Sequence, residues 1–387
     1  MPRSRRPQLT TSHPLLIQAL ELATACINLT SPNPRVGCVI ASTDGKVLGQ
    51  GHTQRAGGAH AEVVALQDAQ LRGHAVRGAT AYVTLEPCSH QGRTGPCCDA
   101  LVRAGIARVV ACGTDPNPQV AGQGFTRLRA AGVAVEVLPV GDPLAQAART
   151  LNIGFFSRML RKTPWVRMKV AASLDGTSAL PNGTSQWITS PEARADGHAW
   201  RARACAVLTG VGTVLQDRPR LDVRLVPTPR QPQLVVVDSR LQTPADAALF
   251  NVADRQVTLY AAAPELGLDA ALEARGATIV RLPGHGPDGQ ATGKVDLAAM
   301  LADLAQREVN ELHIEAGHQL NGSLLRAGLV DELLVYLAPS LLGDGAPMAS
   351  FGPLAALGQA LPLQFKSVDL VGPDLRIRAG VAGRDVF

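Results

Sequence analysis

The length and composition of the chain exclude several classes of protein. Its 387 residues exceed the roughly 150 residues of a usual single domain, which predicts two domains. Hydrophobic residues make up 46% and charged residues 18%, as in an ordinary globular protein. Aromatic residues make up only 3%, which argues against the stacking surfaces of a single-stranded nucleic-acid binder. No apolar run reaches the ~18 residues of a transmembrane helix, so we expect no membrane partner.

The net charge of +5 is concentrated in the first part of the chain. Residues 1–150 contain 14 Lys or Arg and 9 Asp or Glu, whereas residues 151–387 contain 23 of each. Three of the excess positive charges are Arg3, Arg5 and Arg6. The remaining bias is mild and suits a small anionic substrate as well as a polyanion. Together with the scarce aromatic residues, it leads us to expect no nucleic-acid partner.

The cysteine content indicates the compartment. Seven cysteines, an odd number in a long chain, favour thiol or metal chemistry in a reducing compartment over a disulfide framework. A basic start precedes an apolar run, but Gln18 and Glu21 interrupt that run, which favours an amphipathic helix over a signal peptide. We therefore expect a cytoplasmic protein.

Strand and helix patterns alternate in the first part of the chain, which predicts a layered α/β domain with a largely parallel sheet. A domain boundary is predicted at residues 155 and 156, within a basic segment that precedes Pro164. The predicted strands are Val36–Ile40, Lys46–Gly51, Ala79–Leu85, Val109–Gly113 and Val133–Leu138, and the predicted helices are Ala61–Gln70, Cys97–Ala104 and Phe125–Ala131.

A second series of elements follows the boundary and predicts a second α/β domain. Segments rich in Pro and Gly at residues 227–232 and 284–293 are predicted to be loops. The predicted strands are Trp165–Ala171, Ala206–Thr209, Gln233–Asp238, Val257–Ala261, Thr278–Leu282 and Glu311–Glu315, and the predicted helices are Glu192–Arg203 and Val295–Gln306.

One cluster of motifs carries metal-binding chemistry. His60 and Glu62 are followed by a Pro-Cys pair that ends at Cys88, and then by Cys97. One imidazole and two thiolates suit Zn²⁺ and leave the fourth tetrahedral position for a water, whose pKa the metal lowers to about 7. Glu62 lies close enough to carry a proton from that water to a leaving amine. This arrangement is the signature of zinc deaminases.

The spacing of the two cysteines departs from that signature. Pro-Cys-x-x-Cys is the common form, but eight residues separate Cys88 from Cys97 here. The inserted loop carries His90 and Arg93, which could both bind an anionic substrate. Cys97 is predicted to begin a helix, whose dipole favours a thiolate. Cys98 remains an alternative ligand, although adjacent helical residues point about 100° apart.

The motifs of the second part are weaker when read alone. The Gly-Val-Gly at residues 210–212 lacks the third glycine and the helix of a dinucleotide-binding fingerprint, and residues 293–294 do not continue as a phosphate-binding loop. A better candidate is the predicted strand at residues 312–315, which runs through Gly317 into a predicted helix over Gly317–Leu325. Such a turn can bind a cofactor diphosphate, but it also occurs as a plain strand–helix connection.

Taken together, the motifs resemble the bifunctional deaminase–reductase family of riboflavin biosynthesis. The resemblance extends from about residue 13 to about residue 380, and the eight-residue spacing of the cysteines is this family's own form. It is carried by Asn33-Pro34 with Val36-Gly37-Cys38, His60-Ala61-Glu62, the segment Pro87–Cys97, Val166–Lys169, Ser173–Gly176, Ser185–Thr189, Gly212–Leu215, Glu315–Gly317 and Gly328–Glu332.

The resemblance implies a cytidine-deaminase-like three-layer domain over residues 1–155, followed by a dihydrofolate-reductase-like α/β domain over residues 156–387. It implies that zinc hydroxide deaminates 2,5-diamino-6-(5-phosphoribosylamino)pyrimidin-4-one. NADPH then reduces the ribosyl group of 5-amino-6-(5-phosphoribosylamino)uracil to ribityl. It further implies one Zn²⁺ per chain, a small phosphorylated pyrimidine as substrate, and a homodimer or larger homo-oligomer.

The resemblance also implies roles for individual residues. Three residues depart from the family pattern, since His318, Gln319 and Asn321 are atypical. Asn33 is also a common turn residue. The implied metal ligands are His60, Cys88 and Cys97, and Glu62 is the implied catalytic proton carrier. The implied cofactor-binding residues are Ala171, Trp187, Thr213, Asp217, Ser239, Gly317, His318, Gln319, Leu320, Asn321, Gly322 and Ser323, and the implied substrate-binding residues are Asn33, Lys169, Ser185, Arg201, Leu221, Arg224 and Glu315.

Two other functions remain open at this point. The first is a nucleoside or nucleic-acid deaminase with an unrelated second half, against which the scarce aromatics and the neutral second half argue. The second is a metal-stabilised scaffold without activity. The presence of Glu62 argues against a scaffold, because a structural zinc site needs no general base and normally has four protein ligands.

Overall fold

The computed structural model describes residues 13–89, 95–262, 267 and 269–387. The predicted anion-binding residues His90 and Arg93 lie outside the described residues, as do Arg3, Arg5 and Arg6. The chain divides into two compact units, residues 1–161 and 162–387. Among the described helices, none is both long enough and apolar enough to cross a membrane.

The first unit alternates strands and helices as predicted. Its described strands are β1 (Gly37–Ala41), β2 (Val47–His52), β3 (Thr80–Val83), β4 (Arg108–Ala111) and β5 (Ala134–Val137). Its described helices are α1 (Pro14–Ala25), α2 (Ala61–Leu71), α3 (Cys97–Ala104), α4 (Gln123–Ala130), α5 (Pro143–Leu151) and α6 (Ile153–Arg161).

The sheet of the first unit has the order β2-β1-β3-β4-β5. Strands β3, β4 and β5 are parallel, but β1 is antiparallel to both of its neighbours. The prediction of a largely parallel sheet is therefore correct for β3, β4 and β5. It is wrong for β1, which forms an antiparallel hairpin with β2 and also pairs antiparallel with β3.

Helices cover both faces of this sheet. Val109 of β4 packs in a cluster with Ala65 of α2 and Leu101 of α3. The next residue, Val110, packs in a separate cluster with Leu16 of α1 and Leu144 of α5. Because successive strand residues point to opposite faces, the unit has three layers, helix on sheet on helix.

The predicted boundary at residues 155 and 156 lies inside helix α6. This helix buries Ile153 and Phe155 and continues to Arg161, and Phe155 belongs to the main core cluster of the first unit. The basic residues that suggested a linker lie on this helix, with Arg158 and Arg161 in its last turn. The units divide six residues later than predicted, at residues 161 and 162.

The second unit has a larger sheet. Its described strands are β6 (Trp165–Ser173), β7 (Thr177–Ala179), β8 (Ala206–Gly210), β9 (Gln233–Val237), β10 (Val257–Ala261), β11 (Ala277–Arg281), β12 (Pro283–His285), β13 (Ala291–Val295), β14 (Glu311–Ile314), β15 (Glu332–Ala338), β16 (Ala346–Pro347), β17 (Leu363–Val371) and β18 (Asp374–Val381). Its described helices are α7 (Pro191–Arg203), α8 (Val211–Asp217), α9 (Asp269–Glu273), α10 (Leu297–Gln306) and α11 (His318–Arg326), with 3-10 turns at Ala248–Phe250 and Leu357–Gln359.

The main sheet of the second unit has the order β11-β10-β9-β8-β14-β6-β15-β18-β17 among the described strands. The first seven strands in this order, from β11 at one edge to β15, are parallel to one another. Strands β18 and β17 extend the sheet as an antiparallel hairpin. Buried residues of α10 and α11 cover one face, and Val214 of α8 and Leu272 of α9 belong to the cluster on the other. Together with the covered sheet of the first unit, this confirms the prediction of two α/β domains.

Some elements of the second unit were missed in the sequence. The Gly-Val-Gly segment at residues 210–212 does lead into a helix, since α8 begins directly after β8, and the expectation of no helix there was wrong. The predicted loop at residues 284–293 contains parts of β12 and β13, which pair as a small hairpin. Strands β15, β17 and β18 were not predicted.

Candidate active sites

The first candidate site is a cluster of three metal-ligating side chains in the first unit. The ligand atoms of His60, Cys88 and Cys97 lie within 4.8 Å of one another. His60 Nδ1 lies 3.5 Å from Cys88 Sγ and 3.3 Å from Cys97 Sγ. In a tetrahedral zinc site with bonds of about 2.0 and 2.3 Å, a nitrogen and a sulfur ligand are about 3.5 Å apart. The donor set and its spacing therefore fit Zn²⁺.

Two helix N-termini create this cluster. His60 directly precedes α2, and Cys97 is the first residue of α3, where its backbone N–H donates a 3.3 Å hydrogen bond to Cys88 Sγ. Hydrogen bonding between the two thiols lowers the pKa of Cys88 and raises that of Cys97. A hydrogen bond to His60 also lowers the pKa of Cys88. A thiolate therefore forms readily at Cys88, as a zinc ligand requires.

Glu62 is buried in the first turn of α2, two residues after His60. Burial raises the pKa of its carboxyl group to about 7, and the nearby Cys88 adds to the shift. A carboxyl group with a pKa near neutrality can both accept and return a proton. This is the behaviour expected of a proton carrier beside a zinc site.

The structure distinguishes Cys97 from its neighbour Cys98. Cys98 is fully buried, and its Sγ donates hydrogen bonds to Pro87 O at 3.2 Å and to Gly124 O at 3.5 Å. Its thiol is therefore engaged with the backbone, and the cluster contains Cys97 instead.

Glu86 shapes this site and was missed in the sequence. Its buried carboxylate accepts hydrogen bonds from the backbone N–H groups of Asp115, Gly122 and Phe125. These bonds hold the segment before α4 and the start of that helix against the loop that carries Cys88. An acidic residue at the end of a buried strand was the available signal, but its partners are about 30 to 40 residues away in sequence.

Asn33 lies in a turn of the first unit. Its backbone N–H donates to Thr30 O at 2.9 Å, and Thr30 Oγ1 donates to Asn33 O at 3.1 Å. This geometry matches the turn role that its residue type allows. Contact with the base or ribose remains a prediction.

The second candidate site is a cavity of about 840 Å³ in the second unit. It lies at the carboxyl ends of β8 and β14, where ligands bind in open parallel sheets. Thirteen of the residues predicted in this unit line it: Lys169, Ala171, Ser185, Trp187, Arg201, Thr213, Asp217, Leu221, Arg224, Glu315, Gly317, His318 and Asn321.

A carboxylate and two basic groups meet inside this cavity. Glu315 forms two hydrogen bonds with Arg201, at 2.7 and 2.9 Å, and lies 4.0 Å from Lys169 Nζ. Burial would raise the pKa of Glu315, but Arg201 and Lys169 hold it well below its usual range. Burial lowers the pKa of Lys169. The cavity therefore presents an ionised carboxylate beside the Arg201 guanidinium.

Helix α7 also fixes the loop that carries Leu221 and Arg224. Arg201 Nη1 donates to Asp222 O, and His198 Nδ1 accepts a 3.1 Å hydrogen bond from the backbone N–H of Arg224. Burial lowers the pKa of His198 to about 4, and the charges of Arg201 and Arg224 contribute. The imidazole is therefore neutral near pH 7 and remains an acceptor. The sequence signal was its spacing, three residues before Arg201 on one helical face.

Five residues predicted from the resemblance are absent from the described cavity lining: Ser239, Gln319, Leu320, Gly322 and Ser323. Two have evident packing roles. A Cβ added at Gly210 would lie 3.2 Å from the side chain of Leu320, and one added at Gly322 would lie 1.9 Å from the carbonyl oxygen of Ser350. Ser239 Oγ accepts a 3.3 Å hydrogen bond from Val295 N. Their cofactor contacts remain predictions.

The atypical Asn321 also has a structural role. Its Nδ2 donates to Ala316 O at 3.2 Å and to Met348 O at 3.0 Å, which ties α11 to neighbouring backbone. His318 Nδ1 lies 2.7 Å from Ser350 Oγ. His318 and Asn321, two of the three atypical residues, are therefore accommodated by contacts with Ser350 and Met348.

Comparisons with known proteins place both units in one family. Residues 10–113 match the cytidine and deoxycytidylate deaminase zinc-binding region, and residues 164–377 match the RibD C-terminal domain. The riboflavin biosynthesis protein RibD of Escherichia coli is 44% identical over 374 residues, which cover 93% of this chain and 96% of that protein. The chain belongs to the RibD family. RibD of Aquifex aeolicus is 38% identical over 93% of this chain and 95% of its own length.

Solved RibD structures have the same fold. Acinetobacter baumannii RibD superposes with a TM-score of 0.84 at 37% identity and covers 95% of this chain and 98% of its own. A Thermotoga maritima diaminohydroxyphosphoribosylaminopyrimidine deaminase/5-amino-6-(5-phosphoribosylamino)uracil reductase gives a TM-score of 0.81 at 28% identity, with the same coverage. As a RibD family member, this chain is a bifunctional deaminase and reductase of riboflavin biosynthesis, which confirms the predicted fold class and function.

Proposed function

We propose that the first unit deaminates 2,5-diamino-6-(5-phosphoribosylamino)pyrimidin-4-one and that the second unit uses NADPH to reduce the ribosyl group of 5-amino-6-(5-phosphoribosylamino)uracil to ribityl. The observation that carries this proposal is the cluster of His60, Cys88 and Cys97 with the buried Glu62 beside it. The two activities named for the Thermotoga maritima protein support the choice of substrates. On this proposal the deaminase corresponds to the first unit, residues 1–161, and the reductase to the second unit, residues 162–387.

In the deaminase, His60, Cys88 and Cys97 hold one Zn²⁺ per chain. When bound, zinc supplies a Lewis acid that activates water at neutral pH. Glu62 takes a proton from the attacking water and delivers it to the amino group that leaves as ammonia. Its pKa of about 7 suits both transfers. Asn33 contacts the base or ribose of the substrate.

In the reductase, the chain binds and orients two ligands. Arg201 and Arg224 bind the substrate phosphate by charge-assisted hydrogen bonds, and Glu315 with Lys169 orients the ribose. NADPH supplies the hydride when bound. Ser185 and Leu221 complete the substrate site, and Ala171, Trp187, Thr213, Asp217, Ser239 and residues 317–323 bind the cofactor.

One assay tests both steps together. The zinc-loaded full chain is given the diaminopyrimidine ribosyl phosphate and NADPH, and ammonia release is followed beside the loss of NADPH absorbance. We expect equimolar ammonia and NADP⁺. Ammonia without NADPH oxidation would refute the reductase half. Separately, less than half an equivalent of zinc in the protein as purified would refute the deaminase mechanism.

We further propose that the chain forms a homodimer through an uncovered face of the large sheet. On this face, β15, β18 and β17 place apolar residues opposite one another: Leu333, Val335 and Leu337, then Leu375, Ile377, Ala379 and Val381, then Leu363, Phe365, Val368 and Leu370. Phe365 and Leu370 are each 73% exposed. Leu363 and Val368 are also exposed, whereas Ala379 is buried and the other six side chains are partly buried. Monomers rarely expose so large an apolar patch, and these side chains would form the core of an interface of about 20 residues a side. A second copy, related by a two-fold axis, would cover the face with the same residues.

The cysteines support the proposed compartment. All seven are free, and they include the buried Cys26, Cys38, Cys112 and Cys205. Free thiols agree with a reducing compartment such as the cytoplasm.

A further inference from the structure

An exposed indole lies in the cavity of the second unit. Trp187 lines the cavity but is 65% exposed, and it is one of only three tryptophans in the chain. An aromatic ring that is exposed in a pocket can stack on a planar ligand. The stabilisation from stacked rings exceeds that expected from the buried area alone. With this exposure the ring has room for such a ligand.

Arg194 covers one face of that indole. Its guanidinium carbon lies 4.6 Å from the ring centre of Trp187, and its Nη1 donates a 2.6 Å hydrogen bond to Thr189 O. One side chain therefore contacts the loop twice, once at the indole and once at the backbone two residues later. Arg194 itself lines the cavity.

Hydrogen bonds and packing hold the backbone of Arg194 in place. Arg194 lies in the first turn of α7, where Ser190 Oγ accepts a 3.2 Å hydrogen bond from Ala193 N. Ser190 N in turn donates a 2.8 Å hydrogen bond to the buried carboxylate of Asp374 on β18. Ala193 packs against Leu334 and Tyr336 of β15. The guanidinium is thus fixed to the sheet through α7.

We infer that Arg194 is a positioning residue for NADPH. It holds the Trp187 indole with one face against its guanidinium, so that the other face is presented to an aromatic ring of the cofactor. This inference rests on the proposed reductase function. A fixed platform loses less conformational freedom on binding than a mobile one, so removal of the guanidinium weakens NADPH binding.

The test is NADPH titration of the zinc-loaded full chain. Calorimetry measures the Kd, so that variants without Trp187 can be compared, and tryptophan fluorescence follows the environment of Trp187. The difference between the emission of the wild type and of Trp187→Phe isolates Trp187 from Trp165 and Trp200. We expect Arg194→Met to raise the Kd for NADPH about three- to ten-fold, the scale of one cation–π contact. It should also shift the Trp187 emission before any ligand is added. Arg194→Lys, which keeps the charge but not the planar group, should give a smaller increase.

Arg275→Met is the matched control. Arg275 also stacks over an aromatic ring, with its guanidinium carbon 5.9 Å from the centre of Phe250, but it does not line the cavity. Its removal should leave the Kd for NADPH unchanged. In a Trp187→Leu background, Arg194→Met should cause no further loss of affinity, because its effect passes through the indole.

The outcomes separate this inference from the proposed function. An unchanged Kd in Arg194→Met overturns the inference, as does an equal loss of affinity with and without Trp187. Arg194→Lys provides the same comparison if thermal unfolding shows that Arg194→Met does not fold. If the wild type itself binds no NADPH at millimolar concentration, the reductase proposal fails instead.

Discussion

At the scale of single residues, the zinc cluster depends on which of two adjacent thiols faces it. Cys97 Sγ lies 3.3 Å from His60 Nδ1, whereas Cys98 Sγ donates to Pro87 O. The two residues begin the same helix, so their side chains leave it in directions about 100° apart. One position in the chain therefore separates a metal ligand from a packed thiol.

Replacing each thiol in turn tests this difference. We predict that Cys97→Ala lowers the zinc content of the purified protein to well below half an equivalent and abolishes ammonia release. Cys98→Ala should keep its zinc and cost only about 1 kcal/mol of stability, since it removes one small buried group. Metal analysis and thermal unfolding check both variants. Loss of zinc from Cys98→Ala alone would reverse the assignment.

Glu62 offers a second test at this scale. We predict that Glu62→Gln keeps its zinc but releases ammonia at least a hundred-fold more slowly, because an amide of the same shape cannot carry the proton. Glu21→Gln, on the exposed side of α1, is the control and should keep full activity. Metal analysis and an ammonia assay give the two readouts, and retained activity in Glu62→Gln would exclude its role as proton carrier.

At the scale of elements, the close approach of α11 to the segment around Ser350 sets one wall of the reductase cavity. Gly322 permits this approach, because any Cβ there would lie 1.9 Å from Ser350 O. We predict that Gly322→Ala destabilises the protein by about 1–3 kcal/mol, the usual cost of overpacking, and weakens NADPH binding by moving α11.

The matched control for this element is Gly212→Ala. Gly212 lies on α8, and nothing described lies within 4 Å of the position of its Cβ. Alanine favours a helix over glycine by up to about 1 kcal/mol, so this variant should be as stable as the wild type or more so. Thermal unfolding of the two variants decides, and equal stability would show that α11 can shift at no cost.

A buried ion network joins three parallel strands of the second unit. Arg167 of β6 contacts Glu311 of β14 at 3.1 Å and Glu332 of β15 at 2.9 Å. Glu332 also accepts hydrogen bonds from Arg378 at 2.8 Å and from Trp165 Nε1 at 3.1 Å. Burial would raise the pKa of Glu332, but Arg167 and Arg378 hold it at about 2.

This shift predicts the acid stability of the second unit. A carboxyl group whose pKa falls on folding stabilises the protein above its unfolded pKa, here about 4.5, and this stabilisation is lost as the pH falls toward 2. We predict that Glu332→Gln is less stable than the wild type by about 3 kcal/mol at pH 7, and that the difference shrinks between pH 4.5 and 2. Chemical denaturation at several pH values checks this, with the exposed Glu273→Gln as control; a difference that does not change with pH would contradict it.

At the scale of the whole molecule, the uncovered face of the large sheet is the proposed dimer interface. We predict that Phe365→Asp combined with Leu370→Asp converts a dimer to a single chain, because it places charges in an apolar interface core. Leu71→Asp is the control: Leu71 is 87% exposed on α2 of the first unit and is not part of this face, so its replacement should leave the mass unchanged. Light scattering after size exclusion measures both, and a monomeric wild type would refute the dimer.

The sequence predicted what depends on short-range pattern. His60, Glu62, Cys88 and Cys97 could be found because metal chemistry fixes both residue types and spacing. Strands such as β9 and β10 have clear apolar runs with turn residues beside them. The fold class and function followed from these motifs and the family resemblance.

The parts that could not be predicted depend on partners distant in sequence. Glu86 and His198 act on backbone groups that lie 26 to 39 residues away, so the local signals beside them, a strand end and the spacing from Arg201, do not reveal those partners. Strand β17 was missed for a different reason. Its alternation of apolar and polar residues breaks between Phe365 and Ser367, where the register shifts. A search for strict alternation therefore fails at a strand of nine residues.

That register shift determines which side chains of β17 lie on the same face of the sheet. Phe365 pairs with Ala379 and Val368 with Ile377, so one extra residue, Lys366, keeps odd- and even-numbered apolar side chains on the same face. Deleting Lys366 would leave the length of the hairpin almost unchanged but would turn either Leu363 and Phe365 or Val368 and Leu370 over to the side of Arg376 and Arg378. Insertions and deletions of one residue in this hairpin are thus far more harmful than most substitutions, and those of two residues less so.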